Sequence, residues 1–118
     1  MKPAIPILRS FDETQAKRFY VDFLEFQVDW EYRHTEGMPL YLQVSRGECI
    51  LHLSEHYGDC SPAAQVCIDT PDLDEYLKTL RAKDHPNCKP GPAQKQPWGS
   101  RNATLTDPFG NRLTFYHK

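Results

Sequence analysis

The sequence predicts an α+β fold of two βαβββ modules, each a curled mixed sheet beside one helix, the pair forming a cavity. One observation is a repeated apolar stripe: Ala16, Phe19, Tyr20 and Phe23 recur as Leu73, Tyr76, Leu77 and Leu80, displaced by 57 residues. A second is the acids ahead of the stripes, Asp12 and Asp72, displaced by 60 residues, a difference close to one helical turn. The third is order: each stripe follows a short apolar segment and leads into strand-like segments. One helix and a small sheet cannot cover both sheet faces, so each module must set its sheet against something else.

Module one spans about residues 4–56. Residues 4–9 are apolar enough for a strand, and Ser10 with Glu13 three residues on forms a capping box that starts the first helix. From Glu25 to Arg33 the sequence alternates Phe26, Val28, Trp30 and Tyr32, which predicts a strand with these four on one face. Leu40 to Val44 and Cys49 to Leu53 flank Arg46-Gly47-Glu48 and predict a hairpin turning at Gly47. Module two spans about residues 63–117. Gln65 to Asp69 is its first strand, and Thr70-Pro71-Asp72 supplies a cap, a first-turn proline and a first-turn acid for the second helix. A proline-rich crossing (Pro86, Pro90, Pro92, Pro97) precedes a strand from Asn102 to Thr106, a turn at Asp107-Pro108-Phe109-Gly110-Asn111 and a last strand to His117.

Composition excludes several function classes. With 118 residues the chain is one domain, long enough to be stable without disulfides or metal. Fourteen basic against 16 acidic residues give a net charge of -2 without a basic run, which argues against nucleic acid as a partner. No apolar run is long enough for a membrane span, and two prolines break the only apolar stretch at the N-terminus, so neither membrane nor secretion signal is expected. Cys49, Cys60, Cys67 and Cys88 match no zinc or redox-pair spacing, which predicts buried, reduced thiols in a cytoplasmic protein.

Phe19-Tyr20 within "DETQAKRFYVDFLEF" and the C-terminal "PWGSRNATLTDPFGNRLTFYH" resemble the vicinal-oxygen-chelate superfamily, which includes glyoxalase I, ring-cleaving dioxygenases and fosfomycin and bleomycin resistance proteins. The ending is most similar to the bleomycin resistance branch, and the resemblance covers about residues 4 to 117. It implies a glyoxalase/bleomycin resistance/dihydroxybiphenyl dioxygenase-like fold. Enzymes of this superfamily hold one divalent cation at four cavity-facing positions, which here fall on Ile5, His52, Gln65 and Thr114. Only His52 is an ordinary ligand; Ile5 has no lone pair, and Gln65 and Thr114 are weak neutral donors. His52 and His56 cannot grip one ion from an extended strand, where four residues span about 13 Å. No metal and no cofactor are therefore expected.

The candidate ligand-binding residues are Trp30, Tyr41, His52, Gln65, Trp98, Arg101, Phe109, Thr114 and Tyr116. Trp30 and Tyr32 share a strand face, and Tyr41 lies opposite Leu40 and Leu42, but the pattern leaves open which face lines the concave side. His52 either bonds a ligand or is satisfied by a neighbour. If Gln65 and Thr114 face the cavity, so does Tyr116, either as a stacking partner or as a core tyrosine. Trp98, between Pro97 and Gly99, either lines a groove or plugs the loop. Arg101 either binds an anionic group or pins the crossing segment. The turn at Asp107 is explained as a hairpin, with Phe109 at its tip free to touch ligand or partner.

Metal-independent sequestration of a bleomycin-type antibiotic or related amphipathic ligand, in grooves at a homodimer interface, is the expected function. The alternative is a metal-dependent glyoxalase- or dioxygenase-type enzyme with a divergent ligand set.

Overall fold

The computed structural model describes residues 1–118. Its elements are β1 (Ile7–Arg9), α1 (Glu13–Lys17, continued by a π-helical turn over Arg18–Phe23), β2 (Gln27–Tyr32), β3 (Tyr41–Arg46), β4 (Cys49–Ser54), β5 (Gln65–Asp69), α2 (Leu73–Ala82), β6 (Gln94–Lys95), β7 (Arg101–Thr106) and β8 (Arg112–His117). They make two four-stranded sheets, ordered β1-β4-β3-β2 and β5-β8-β7-β6, so each half of the chain builds its own sheet. In each the first strand pairs parallel with the last, β1 with β4 and β5 with β8, and the other pairings are antiparallel. The predicted pair of βαβββ modules is the observed architecture.

Both helical stripes point inward. Ala16, Phe19, Tyr20 and Phe23 from the first helix and Leu73, Tyr76, Leu77 and Leu80 from the second join Leu8, Leu42, Val44, Leu51, Leu53, Leu105, Leu113 and Phe115 in one buried cluster. The two halves thus share a single core, which hydrophobic burial makes the main source of stability. Polar bonds stitch it: Tyr76 Oη donates to the Leu24 carbonyl at 2.6 Å and Asn111 Nδ2 to the Arg9 carbonyl at 2.8 Å.

Three local expectations are corrected. The first helix is capped by Asp12, whose side chain accepts from Thr14 N–H at 3.0 Å, while Ser10 Oγ is buried without a partner. Asp12 is the cap because the helix starts at Glu13, two residues later than a box beginning at Ser10 requires. The second helix begins at Leu73, and Thr70 turns its hydroxyl back to the Ile68 carbonyl at 3.0 Å instead of capping it. The crossing segment also carries the two-residue strand β6, absent from the hydrophobic pattern because Gln94 and Lys95 are polar.

The fourth correction matters most for the site. β2 carries a bulge: Val28 pairs with Val44 but Trp30 with Gln43, leaving Asp29 as the extra residue. Because strand faces alternate with period two, one inserted residue sends Trp30 and Tyr32 to the face opposite Val28. Phe26 and Val28 stay with the core, and the aromatic pair moves to the open side.

Candidate functional site

The register of the first sheet decides which face is open. Leu42 and Val44 pair with Leu53 and Leu51 and are buried, so Tyr41 and Gln43 stand on the other face with Ser54 and His52. Trp30 and Tyr32, turned by the bulge, sit opposite Gln43 and Tyr41 on that same face and remain 43% and 55% exposed. Ile7, paired with His52, completes it and is also exposed.

Three of the sequence-derived residues meet there. The Trp30 and Tyr41 rings lie 8° from parallel with centroids 5.9 Å apart, and the His52 ring stands edge-on to both, at 5.3 Å from Trp30 and 5.2 Å from Tyr41. Offset stacking and edge contacts of this kind contribute about 0.5–1.5 kcal/mol per pair beyond burial, so the platform holds its shape while staying wet on its outer side. His52 Nδ1 lies 2.6 Å from Tyr41 Oη and its Nε2 lies 2.9 Å from Gln43 Oε1. Burial holds the imidazole below its usual pKa, and burial, with the Asp59 and Cys60 charges, raises the Tyr41 phenol. At neutral pH the platform is therefore an uncharged surface of aromatic rings and polar atoms.

The second sheet has a corresponding polar face. Gln65 Nε2 donates to Thr114 Oγ1 at 3.2 Å, and Thr114 and Thr104 hydroxyls lie 2.8 Å apart. By register Gln65, Cys67, Thr114 and Tyr116 share this face, with Gln65 and Cys67 exposed, Tyr116 half-buried and Thr114 buried among its bonding partners. Cys67 departs from the expectation of buried thiols for this reason, whereas Cys88 is buried and Cys49 and Cys60 are half-buried; all four are free.

The remaining candidates lie apart from the platform. Arg101 Nη1 donates to both carboxylate oxygens of Asp74 on α2, at 2.7 and 2.8 Å, so its charge ties β7 to that helix. Phe109 packs edge-on to Phe11 at 6.0 Å. Trp98 is 71% exposed at the tip of a turn closed by Gln96 and Gly99, the latter at φ +94°, where glycine's freedom is needed.

One cleft was not legible in the sequence. About 380 Å³ opens between the β3–β4 turn and the start of α2, lined by Phe26, Arg46, Cys49, Ile68, Tyr76 and Phe115. Arg46 covers the Tyr76 ring at 4.1 Å and reaches Asp72 at 3.5 Å. None of the nine sequence-derived residues lines it.

The four positions at which the sequence resemblance would place a cation do not fit one. Ile5 offers no donor, Gln65 and Thr114 bond each other, and both ring nitrogens of His52 already have partners. No three His, Cys, Asp or Glu side chains are placed so that they could hold a metal ion. No helix is long and apolar enough to cross a membrane.

A family model described as "Glyoxalase superfamily protein" matches residues 1–118. Among solved structures, a bleomycin-binding protein complexed with bleomycin is 22% identical with a TM-score of 0.76, covering 100% of this chain and 99% of that one. TioX from Micromonospora sp. ML1 is 21% identical with a TM-score of 0.76 over 98% of each chain. TnmS3, an antibiotic binding protein from Streptomyces sp. CB03234, is 21% identical with a TM-score of 0.74, covering 98% and 96%. At these identities the likeness shows the fold alone. No curated protein sequence matches the chain.

Proposed function

The chain belongs to the glyoxalase superfamily, and from that premise we propose that it is a binding protein which sequesters a flat, amphipathic small molecule of the bleomycin type, or a related ligand, without bond chemistry and without metal. The observation that carries this reading is the platform of Trp30, Tyr41 and His52: two parallel rings and an edge-on imidazole on an open sheet face. A planar ligand laid on it gains stacking energy and finds polar atoms at its edge.

The site is completed in a homodimer. A single platform is open to solvent on one side, and ligand pockets usually cover most of their ligand. Two copies set face to face close the groove, with the polar face of Gln65, Thr114 and Tyr116 as its second wall and Trp98 at the rim. The binders of bleomycin and of antibiotics among the structural neighbours support this reading. The donor set at Ile5, His52, Gln65 and Thr114 speaks against a metal-dependent glyoxalase or dioxygenase.

Titration with metal-free bleomycin, followed by tryptophan fluorescence and calorimetry, tests the proposal. Saturable binding with the same heat signature in the presence of EDTA is expected. No binding at up to millimolar ligand, or turnover of a thiol-bound or catecholic substrate restored by a divalent metal, would overturn it.

A further inference from the structure

Asp29, the residue inserted by the bulge in β2, ends a chain of hydrogen bonds that starts on the platform. Tyr41 Oη meets His52 Nδ1 at 2.6 Å, His52 Nε2 meets Gln43 Oε1 at 2.9 Å, and Gln43 Nε2 donates to Asp29 Oδ2 at 3.0 Å. The other Asp29 oxygen accepts from Ser45 Oγ at 3.0 Å and Gln27 Nε2 at 3.2 Å. These donors, the Gln43 amide foremost, hold the Asp29 carboxyl below the usual carboxylate range, so it is ionised at neutral pH.

The direction of every proton in this chain follows from that charge. A carboxylate only accepts, so the Gln43 amide must turn its NH₂ to Asp29 and its carbonyl to His52. The flipped amide would set two oxygens 3.0 Å apart. A carbonyl also only accepts, so the neutral imidazole carries its proton on Nε2 and leaves a lone pair on Nδ1. Tyr41 has one hydroxyl proton, and that lone pair takes it. What Tyr41 Oη then offers to a molecule stacked on the platform is lone pairs alone.

We propose that Asp29 is a specificity-determining residue that, through Gln43 and His52, makes Tyr41 Oη an obligate acceptor, so that the platform selects flat ring systems carrying an N–H or O–H donor over shape-equivalent rings offering only an acceptor. This rests on the platform's being a ligand site. Asp29 touches no ligand; it is a positioning residue, acting by fixing proton direction. A ring with an acceptor at that edge meets oxygen lone pairs and loses its own solvation without replacement, which disfavours it by about tenfold against the donor ring.

The test has one arm without ligand and one with it. In protein labelled with ¹⁵N-histidine, His52 is expected as the Nε2–H tautomer at pH 7.5. In Asp29→Asn the amide can donate as well as accept, so Gln43 is released to flip and the Nδ1–H form gains population. Adding Gln43→Glu to that variant, which puts a pure acceptor beside His52, restores the Nε2–H form, a rescue that a merely structural role for Asp29 does not produce. For the second arm the probes are indole and benzofuran, equal in shape and differing in an N–H donor against an oxygen acceptor, titrated by NMR shift. The parent is expected to prefer indole by about tenfold and Asp29→Asn to reduce the ratio to about twofold. An Nδ1–H tautomer in the parent, or an unchanged tautomer in Asp29→Asn, overturns the relay while leaving the ligand face standing. Equal affinity for the two probes in the parent overturns the selection. Binding of neither probe with the tautomers as expected overturns the ligand face, and the selection with it.

Discussion

Tyr20 and Asp107, 87 residues apart in sequence, share a 2.6 Å hydrogen bond in the interior. One belongs to the first helix and the other to the turn before β8, so this bond ties the two modules together. Asp107 also accepts from the backbone N–H of Phe109 and of Asn111 and from Asn111 Nδ2, so its buried charge is met by four donors. Burial first, and then the Asp107 charge, pushes the Tyr20 phenol well above its ordinary pKa, so the hydroxyl is a donor at neutral pH.

Tyr20→Phe removes one of those donors and leaves the rest. The expected loss is about 2 kcal/mol, the range for a hydrogen bond to a buried charge. Asp107→Ala takes the acceptor from Tyr20 Oη, from the Phe109 and Asn111 backbone N–H groups and from one of the two Asn111 Nδ2 hydrogens, the other keeping the Arg9 carbonyl, and is expected to cost more, about 3–4 kcal/mol. Urea denaturation measures both. A loss for Asp107→Ala no larger than for Tyr20→Phe would mean that the charge is not held as this geometry requires.

Much of this architecture was legible. The stripes at Ala16–Phe23 and Leu73–Leu80 repeat because both helices press on one core, and repetition of helical period survives in sequence. The Asp107 turn was legible as a hairpin, but its bond to Tyr20 was not, since nothing local in either segment marks a partner 87 residues away. The bulge at Asp29 was illegible for another reason. Phe26, Val28, Trp30 and Tyr32 alternate without a break, and only the pairing with β3 reveals that the face changes between Val28 and Trp30. Trp30, Tyr41 and His52 are each legible as candidates, but that they share one side follows only from strand register. Tyr76 is legible as a core position of the second stripe and Arg46 as a turn residue, but their contact is not, because a cation above a ring leaves no spacing signal.

Acidification is expected to destabilise the protein through His85. Its ring packs against Phe19 and Phe23, at 5.8 and 4.9 Å, and its Nδ1 accepts the Asn87 N–H at 3.1 Å. Burial first, and the Arg18 charge second, lower its pKa. The unfolded chain therefore takes up the proton at about pH 6.5, before the folded one does, and stability falls as pH drops from 7 through 6.5 until the folded pKa is reached. His52, also lowered by burial, adds a loss of the same sign. Glu13 and Asp29 are lowered too, but as carboxylates they act further down, below about pH 4.5. Urea midpoints at pH 7.5 and 5.5 should drop for the parent and drop less for His85→Gln. A rise on acidification would contradict a half-buried imidazole held neutral against Phe19 and Phe23.

Chelation is expected to leave the molecule unchanged. A metal that binds only the folded state raises the melting temperature, by an amount that grows with affinity, and EDTA would remove that increment. With Gln65 and Thr114 bonded to each other and His52 bonded at both nitrogens, no increment is expected. Differential scanning calorimetry with and without EDTA, beside elemental analysis of protein purified without chelator, checks this. Stoichiometric zinc or iron lost in His52→Ala would reverse the assignment towards the enzyme.

The two tryptophans separate the platform from the rim. Trp30 stacks on Tyr41 and touches His52, so Trp30→Ala should weaken a planar ligand by about tenfold or more, the sum of a stacking term and the area it covers. The same substitution should cost less than about 1 kcal/mol of stability, because the ring is 43% exposed and its loss opens no cavity. Trp98, 71% exposed on its turn, plugs nothing, so Trp98→Ala should leave the melting temperature within about 2 °C. If the groove closes by pairing two copies, with Trp98 at its rim, that variant weakens binding as well, and light scattering on the parent reports a dimer at micromolar concentration. A parent that scatters as a 13.7 kDa monomer even with ligand would remove the second wall from the site. In that case Trp98→Ala binds as the parent does, and the loss on Trp30→Ala alone defines where the ligand lies.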